Sequence, residues 1–332
     1  MRNITAFLVL VIMACCAQFA AAQEKEASSY TFSSGARFGI FAGRAEEIVY
    51  PPGGSNNGAE LYSQLLWDMM PVFYYGLSLD VSRARLMDMA GFFSTLSLKN
   101  AIHGGSGKME DRDWLSAENN GLTGYSVHDN YTNGVFMLDL RAGLSIPVKR
   151  VLLIKPHINL TYMRFSFSGQ FGEGKYARET GGWYSYIFAP IDDDPDIVSF
   201  STREKVINYT QNWFVLSPGI SVAYHFLNKF SAELFFSISP LIFCEDLDEH
   251  LTTGRQYRDI MHGGLLAEPG FRFSFIPNKR LEFSLDFSWR HIGGTRGATF
   301  ISPVFTNDYV QDGEAGAGLS LTDTGLCLKI SL

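Results

Sequence analysis

Hydrophobic and polar residues alternate at every second position along several stretches of the chain. The stretch 280–290, RLEFSLDFSWR, is one of them, and the same alternation recurs at 230–243, 136–146 and 326–332. Successive side chains of a β-strand point to opposite faces, so this alternation predicts strands with one apolar and one polar face. We therefore expect the chain to be dominated by long amphipathic strands.

The segments between these strands alternate in length. Short turns are predicted near 82–85, 147–150, 227–229 and 277–279, and long polar loops near 44–60, 101–132, 173–200, 246–257 and 297–312. This alternation implies about ten antiparallel strands, with both ends of the chain on the side of the short turns.

A soluble β-sandwich would show the same alternation, but it would bury its apolar faces and use strands of about five or six residues. The stretches here are longer, and a closed ring satisfies every backbone hydrogen-bonding group without a helix. The sequence therefore predicts an all-β fold: a transmembrane antiparallel β-barrel of about ten strands with long extracellular loops.

The first residues have the features of an export signal. A positive charge at Arg2 precedes a short apolar region, and an Ala-x-Ala ending at Ala22 precedes Gln23. We predict a signal peptide at 1–22 and a single barrel domain at 23–332. Cleavage would leave two cysteines, Cys244 and Cys327, and their pairing does not follow from the sequence.

The composition supports a membrane barrel and narrows the possible partners. The chain contains 46% hydrophobic residues, 14% aromatic residues and 32 glycines, which favour strands and turns. A formal net charge of −7 argues against a nucleic-acid partner and mildly favours cationic ones. We expect no metal cofactor, because the sequence has neither an H-x-x-x-H motif nor a cysteine cluster.

Acidic residues gather in three of the predicted outer loops, within GRAEEIVY, GKMEDRDW and CEDLDEH. The residues of interest are Glu47, Asp111, Asp113, Asp246, Asp248 and His250. The last three are spaced by two, so in an extended chain they share one face. Barrel closure would bring all three loops to one rim, whereas Glu46 and Glu110 are more simply interpreted as solvated.

The motifs EEIVY, SQLLW, DRDW and DEH, in this order in an exported ten-strand barrel, resemble the omptin family of outer-membrane endopeptidases. The resemblance implies a bacterial outer-membrane location, a site facing the cell exterior, and cleavage next to arginine or lysine. It implies an attacking water held between two catalytic halves and an acidic pocket for the basic side chain. The halves would be Asp111 with Asp113 and Asp248 with His250, and the pocket Glu47 with Asp246.

The same resemblance implies lipopolysaccharide as an activating lipid, gripped on the outer wall by Arg164. Asn212 occupies the place where a second arginine is expected, so the lipid requirement stays open. Gly124 occupies the place where an acidic residue is expected, so the preference on the leaving side of the bond stays open as well. No other cofactor is implied.

Elementary chemistry supports these roles independently. Without a metal or a serine or cysteine nucleophile, peptide hydrolysis needs a base that takes a proton from water. His250 suits this role and Asp248 could fix its tautomer, and an unperturbed imidazole predicts loss of activity below about pH 6 to 6.5. The neighbouring Asp111 and Asp113 would share a proton. The carboxylates of Glu47 and Asp246 could bind a guanidinium through paired hydrogen bonds.

Three alternatives come from other classes of protein. A barrel lipase would need a Ser–His pair, which is not apparent in a strand. A narrow porin or adhesin would use the interior charges, although a barrel of about ten strands leaves little open lumen. An omptin-like barrel without activity would serve as a surface-binding protein. For the protease we expect basic peptides and outer-membrane lipids as partners, and a monomer.

Overall fold

The computed structural model describes residues 30–51, 61–87, 90–115, 121–177, 191, 196–304 and 306–331. The strands are β1 (Tyr30–Tyr50), β2 (Ser63–Met87), β3 (Ala90–Ala101), β4 (Gly104–Asp113), β5 (Gly124–Lys149), β6 (Leu152–Tyr176), β7 (Asp196–Phe226), β8 (Phe230–Ser239), β9 (Ile242–His250), β10 (Arg255–His262), β11 (Leu265–Asn278), β12 (Leu281–Gly293), β13 (Arg296–Pro303) and β14 (Val310–Ser331). The described residues include no helix that could cross a membrane. The predicted signal peptide at 1–22 lies outside the described residues.

The strands form one antiparallel sheet that closes on itself. The first strand, β1, pairs with β2 on one side and with the last strand, β14, on the other. Four barrel strands are each divided into two segments by a short interruption: β3/β4, β8/β9, β10/β11 and β12/β13. Counted in this way, the barrel has about ten strands. The predicted all-β barrel is confirmed.

The loops at the outer end of the barrel, which carries the acidic motifs, are shorter than predicted. The predicted loop 101–132 contains all of β4 and the start of β5, and the predicted loop 246–257 is mostly β9 and β10, joined through 251–254. The error has a physical cause. Above the membrane the outer face meets water, so the apolar alternation stops although the backbone pairing continues. The acidic motifs therefore lie on rigid strands.

One of the four predicted short turns is also wrong in place. The segment 82–85 belongs to β2, which continues to Met87. Polar and charged residues of this kind are compatible with a strand where it leaves the membrane. The other turns lie at 150–151, 227–229 and 279–280, at or next to the predicted positions.

The two faces of the wall differ as the alternation predicts. Large apolar side chains such as Phe38, Leu77, Leu234 and Leu326 are exposed on the outer face. The inner face of the periplasmic half carries charges that pair with one another, among them Arg290 with Glu268 at 2.8 Å and Lys155 with Glu233 at 2.8 Å.

An apolar layer fills the barrel above these ion pairs. Its fully buried members include Phe41, Met69, Met137, Met163 and Phe165. The charged region below encloses a cavity of about 90 Å³, which is room for only a few water molecules. This filled lumen argues against the porin alternative, and it gives the mouth of the barrel a solid floor.

Candidate active site

Strand β9 carries the alternating acids into the barrel mouth. It pairs with β7 on one side and β10 on the other, so its inward side chains are enclosed on both flanks. Asp246 and Asp248 are each 1% exposed, whereas Glu245, the residue before Asp246, pairs with Arg258 on the outer face. The common face predicted for Asp246, Asp248 and His250 is therefore what the strand provides.

Asp248 and His250 form a hydrogen-bonded pair at the end of β9. The imidazole Nε2 lies 2.5 Å from Asp248 Oδ2, and the ring meets Tyr257 edge-on at a centroid distance of 5.3 Å. The His250 side chain keeps 29% of its surface exposed, so one edge of the ring faces the mouth. Among the described residues, no donor reaches the other Asp248 oxygen, Oδ1.

Electrostatics favour the protonated form of His250. Burial, the largest single effect, lowers the pKa of the imidazole, but the charge and hydrogen bond of Asp248 together with the charges of Asp111 and Asp113 raise it by more. The net effect raises the pKa of His250 to about 9. The influence of Asp111 and Asp113 on His250 also shows that the two predicted halves lie within electrostatic reach across the mouth.

Strand β4 supplies the opposite half of the mouth. It runs between β2 and β5, with Asp111 facing Leu65 and Asp113 facing Ser63 in register. Burial, followed by repulsion from Asp113, raises the pKa of Asp111 well above its usual range. Burial also raises the pKa of Asp113. The pair therefore tends to retain a proton, as two crowded carboxyl groups should.

Gly124 makes room for this pair. It is the register partner of Asp113 on β5, and a Cβ at this position would lie 2.8 Å from Asp113 Oδ2. Gly124 therefore occupies the position where an acidic residue was expected, and its lack of a side chain leaves room for the Asp113 carboxylate.

The predicted basic pocket lies next to the Asp248–His250 pair. Glu47 is 2% exposed on the inner face of β1, where burial and then the charges of Asp248 and Asp246 raise its pKa well above the usual range. Tyr209 on β7 donates its hydroxyl to Asp246 Oδ2 at 2.8 Å, and Gln211 Nε2 donates to that hydroxyl at 2.8 Å. This chain of hydrogen bonds fixes one oxygen of Asp246.

Sequence reasoning missed one acid of this cluster, Asp259. It lies on β10 directly opposite Asp246 and is 0% exposed. Burial, with repulsion from Asp248, raises its pKa to about 7. The sequence contains a signal for this strand, because Tyr257, Asp259 and Met261 are spaced by two and would share one face of a strand. The predicted loop 246–257 covers the start of the strand and therefore concealed it.

The remaining predicted residues lie on the outer face. Arg164 is on β6 beside Asn212 of β7, so its predicted place on the outer wall agrees with the structure. Glu46 accepts a hydrogen bond from Gln64 at 2.5 Å, and Glu110 accepts one from Arg112 at 2.5 Å.

Two further sequence questions concern metals and disulfides. In the described part of the chain, no group of three or more His, Cys, Asp or Glu side chains could hold a metal ion. The expectation that the protein needs no metal stays a prediction. Cys244 and Cys327 are both buried and unpaired.

Comparisons with known proteins agree with the fold. The omptin family model matches residues 28–331. The plasminogen activator of Yersinia pestis is 24% identical over 297 residues, which cover 87% of this chain and 85% of that relative. The outer membrane protease OmpT from Escherichia coli has the same fold, with a TM-score of 0.76 at 21% identity over 91% of this chain and 97% of that chain. The match over most of the chain shows that this protein belongs to the omptin family of outer-membrane proteases, with its site on the outward-facing surface of the bacterial outer membrane.

Proposed function

We propose that this protein is an endopeptidase that hydrolyses peptide bonds next to arginine or lysine, using a water activated by an aspartate–histidine pair. One observation carries the proposal. The hydrogen-bonded Asp248–His250 pair lies within electrostatic reach of Asp111 and Asp113, beside the buried carboxyl groups of Glu47 and Asp246. The arrangement provides a base, a proton-holding pair and a cation-binding site within one cleft.

His250 would act as the general base. Asp248 is bonded to one ring nitrogen, so the other nitrogen is the one available to take a proton from water. The carboxylate holds the ring in one tautomer and stabilises the imidazolium that forms as the water attacks the peptide carbonyl. His250 can then return the proton to the departing amine.

The Asp111–Asp113 pair would serve the opposite side of the attacking water. Because burial and mutual repulsion keep a proton on the pair, one carboxyl can donate a hydrogen bond while the other accepts one. The ionised member would orient the water, and the protonated member would stabilise negative charge developing on the carbonyl oxygen. No step requires a covalent intermediate.

The pocket formed by Glu47 and Asp246 would select the basic side chain. Both carboxyl groups are buried, so a neutral side chain would leave them without a cation, whereas a guanidinium or ammonium would compensate their charge. Substrate binding would place the scissile bond between the catalytic halves, since Asp246 and Asp248 are two residues apart on the same face of β9.

The outer wall and the oligomeric state complete the proposal. Arg164 has the charge and position to contact the anionic headgroups of lipopolysaccharide or other outer-membrane lipids. We propose that this contact supports activity. We also propose that the protein works as a monomer, because the catalytic and pocket residues all come from the mouth of one barrel.

Cleavage mapping tests the proposed function. The barrel, refolded in detergent with and without lipopolysaccharide, is incubated with a peptide library, and the cut positions are read by mass spectrometry. We expect cuts directly after arginine or lysine. Cuts unrelated to basic residues would contradict the pocket, and tight binding of basic peptides without cleavage would favour the alternative of an inactive surface-binding barrel.

A further inference from the structure

Asp259 has no role in the catalysis described above, yet it is among the most deeply buried acids of the mouth. Its exposure is 0%, and neither of its carboxylate oxygens makes a well-formed hydrogen bond with a described residue, although the Thr299 hydroxyl lies close enough to favour its ionised form. A buried carboxylate without a partner is costly, so such a group usually has a ligand or a function.

Asp259 faces the same space as the two acids of the basic pocket. It is the register partner of Asp246 across β9 and β10, and its charge raises the pKa of both Asp246 and Glu47, in each case after burial itself. The three carboxyl groups come from three strands, β1, β9 and β10, and converge on one region of the inner wall.

The wall between Glu47 and Asp259 is lined by small residues. Ala317 on β14 is the register partner of Glu47, and Thr299 on β13 is the register partner of Asp259. Ala315, two residues from Ala317, is also fully buried on this arc. On the other side of Glu47 the wall carries the large, stacked rings of Trp67 and Tyr209. Among the described residues, the register partners of Glu47 and Asp259 on this arc are therefore small.

The hydrogen-bonding capacity of this region indicates which side chain fits best. Within the group of Glu47, Asp246 and Asp259, four buried carboxylate oxygens make no hydrogen bond with a described residue: Glu47 Oε2, Asp246 Oδ1 and both oxygens of Asp259. A lysine ammonium offers about three N–H donors, whereas an arginine guanidinium offers about five, spread over a planar fork. Only arginine has enough donors to reach all four oxygens.

We propose that Asp259 is a third specificity-determining carboxylate, which makes the pocket of Glu47 and Asp246 select arginine over lysine. The inference rests on the proposed function, because it assigns the residue to the pocket that holds the substrate's basic side chain. Without Asp259 the pocket would retain its charge preference but lose two of the acceptors that distinguish the two cations.

The test compares three peptides that differ only at the basic position, which holds arginine, lysine or citrulline, the neutral analogue of arginine. The variant is Asp259→Asn, and Asp259→Ser is a second variant in case the first does not refold. Glu245→Gln is the matched control, because it removes an acid from the neighbouring strand but from the outer face. The readout is kcat/KM for each peptide.

We expect the parent to prefer arginine over lysine by roughly tenfold or more, the value of one or two charge-assisted hydrogen bonds. Asp259→Asn should reduce this ratio by about tenfold, mainly through a higher KM for the arginine peptide, and should leave kcat largely unchanged. Glu245→Gln should keep the parental ratio. A parental ratio in both Asp259 variants would overturn the inference.

Binding separates this inference from the proposed catalysis. Calorimetry measures the affinity of the three peptides for His250→Ala and for His250→Ala combined with Asp259→Asn. An arginine preference that depends on Asp259 would support the inference even if the parent cleaved none of the peptides, a result that would refute the catalytic proposal alone. An arginine preference absent from binding, or independent of Asp259, would overturn the inference.

Discussion

The strongest quantitative prediction concerns the protonation of His250 and the variant Asp248→Asn. Burial is the largest single effect and lowers the imidazole pKa, but the Asp248 carboxylate, 2.5 Å from Nε2, together with Asp111 and Asp113 raises it by more, to about 9, above the ordinary value of 6.5. At about 1.4 kcal/mol per pKa unit, the net displacement corresponds to a stabilisation of the imidazolium on the order of 3 kcal/mol. An amide at position 248 would remove the contribution of Asp248 and leave the opposing effect of burial.

The sign of the pH effect follows from the role of His250 as base. A raised pKa means that the imidazolium persists to higher pH, so the active neutral form appears only as the pH rises, and activity is lost as the pH falls. The acid limb of kcat/KM should therefore lie above 6.5 in the parent, toward 9. This replaces the limb at about pH 6 to 6.5 expected for an unperturbed imidazole.

Asp248→Asn should move that limb to lower pH by about two units, because only the more distant Asp111 and Asp113 still favour the imidazolium. It should also lower kcat by roughly 10² to 10⁴, because the amide no longer stabilises the developing charge. Glu249→Gln is the control, since that carboxylate accepts a hydrogen bond from Asn208 at 3.1 Å instead of contacting the imidazole.

Two assays measure the effect. The pH profile of kcat/KM gives the limb for the free enzyme, and nuclear magnetic resonance of labelled imidazoles gives the pKa of His250 directly, with His250→Ala identifying its signal among the seven histidines. The reasoning is refuted if the parental pKa of His250 is 6.5 or below, or if Asp248→Asn leaves both the limb and the pKa unchanged.

Three further predictions concern the pocket, the carboxylate pair and the absence of a metal. Asp246→Asn should weaken selection of basic over neutral peptides by about 2 to 5 kcal/mol, seen as a higher KM; unchanged discrimination would remove Asp246 from the pocket. Gly124→Ala should displace the Asp113 carboxylate and lower kcat by tenfold or more at similar KM, whereas Gly134→Ala, whose added Cβ has its nearest neighbour at 3.8 Å, should not; equal rates would refute the close fit. Incubation with a chelator should leave the cleavage rate unchanged, and a loss restored by added metal would contradict the water–histidine mechanism.

Much of the barrel follows from the sequence because the membrane imposes a simple rule. Lipid on one side and a packed interior on the other force side chains to alternate, and stretches such as 280–290 show this directly. The rule fails where the lipid ends. At 104–113 the strand continues into water, its outer face becomes polar, and the sequence can no longer be distinguished from that of a loop.

The sequence predicts the residues of the candidate site but not how they come together. The spacing of Asp246, Asp248 and His250 already indicates one face, and the family resemblance adds Asp111 and Asp113. Their convergence across the mouth depends on barrel closure, which no local pattern encodes. Asp259 was missed for a more local reason, because the predicted loop 246–257 replaced the hairpin that places it opposite Asp246.

The central claim, that His250 is the base of a protease active at the barrel mouth, is tested most directly by the cleavage rate of an arginine-containing peptide by refolded His250→Ala. The matched control is His262→Ala, whose ring packs against Phe243 on the outer side of the wall at a centroid distance of 5.5 Å. We predict that His250→Ala lowers kcat by roughly 10² to 10⁴ with little change in KM, whereas His262→Ala retains the parental rate. Cleavage by a folded His250→Ala barrel at the parental rate would contradict the account.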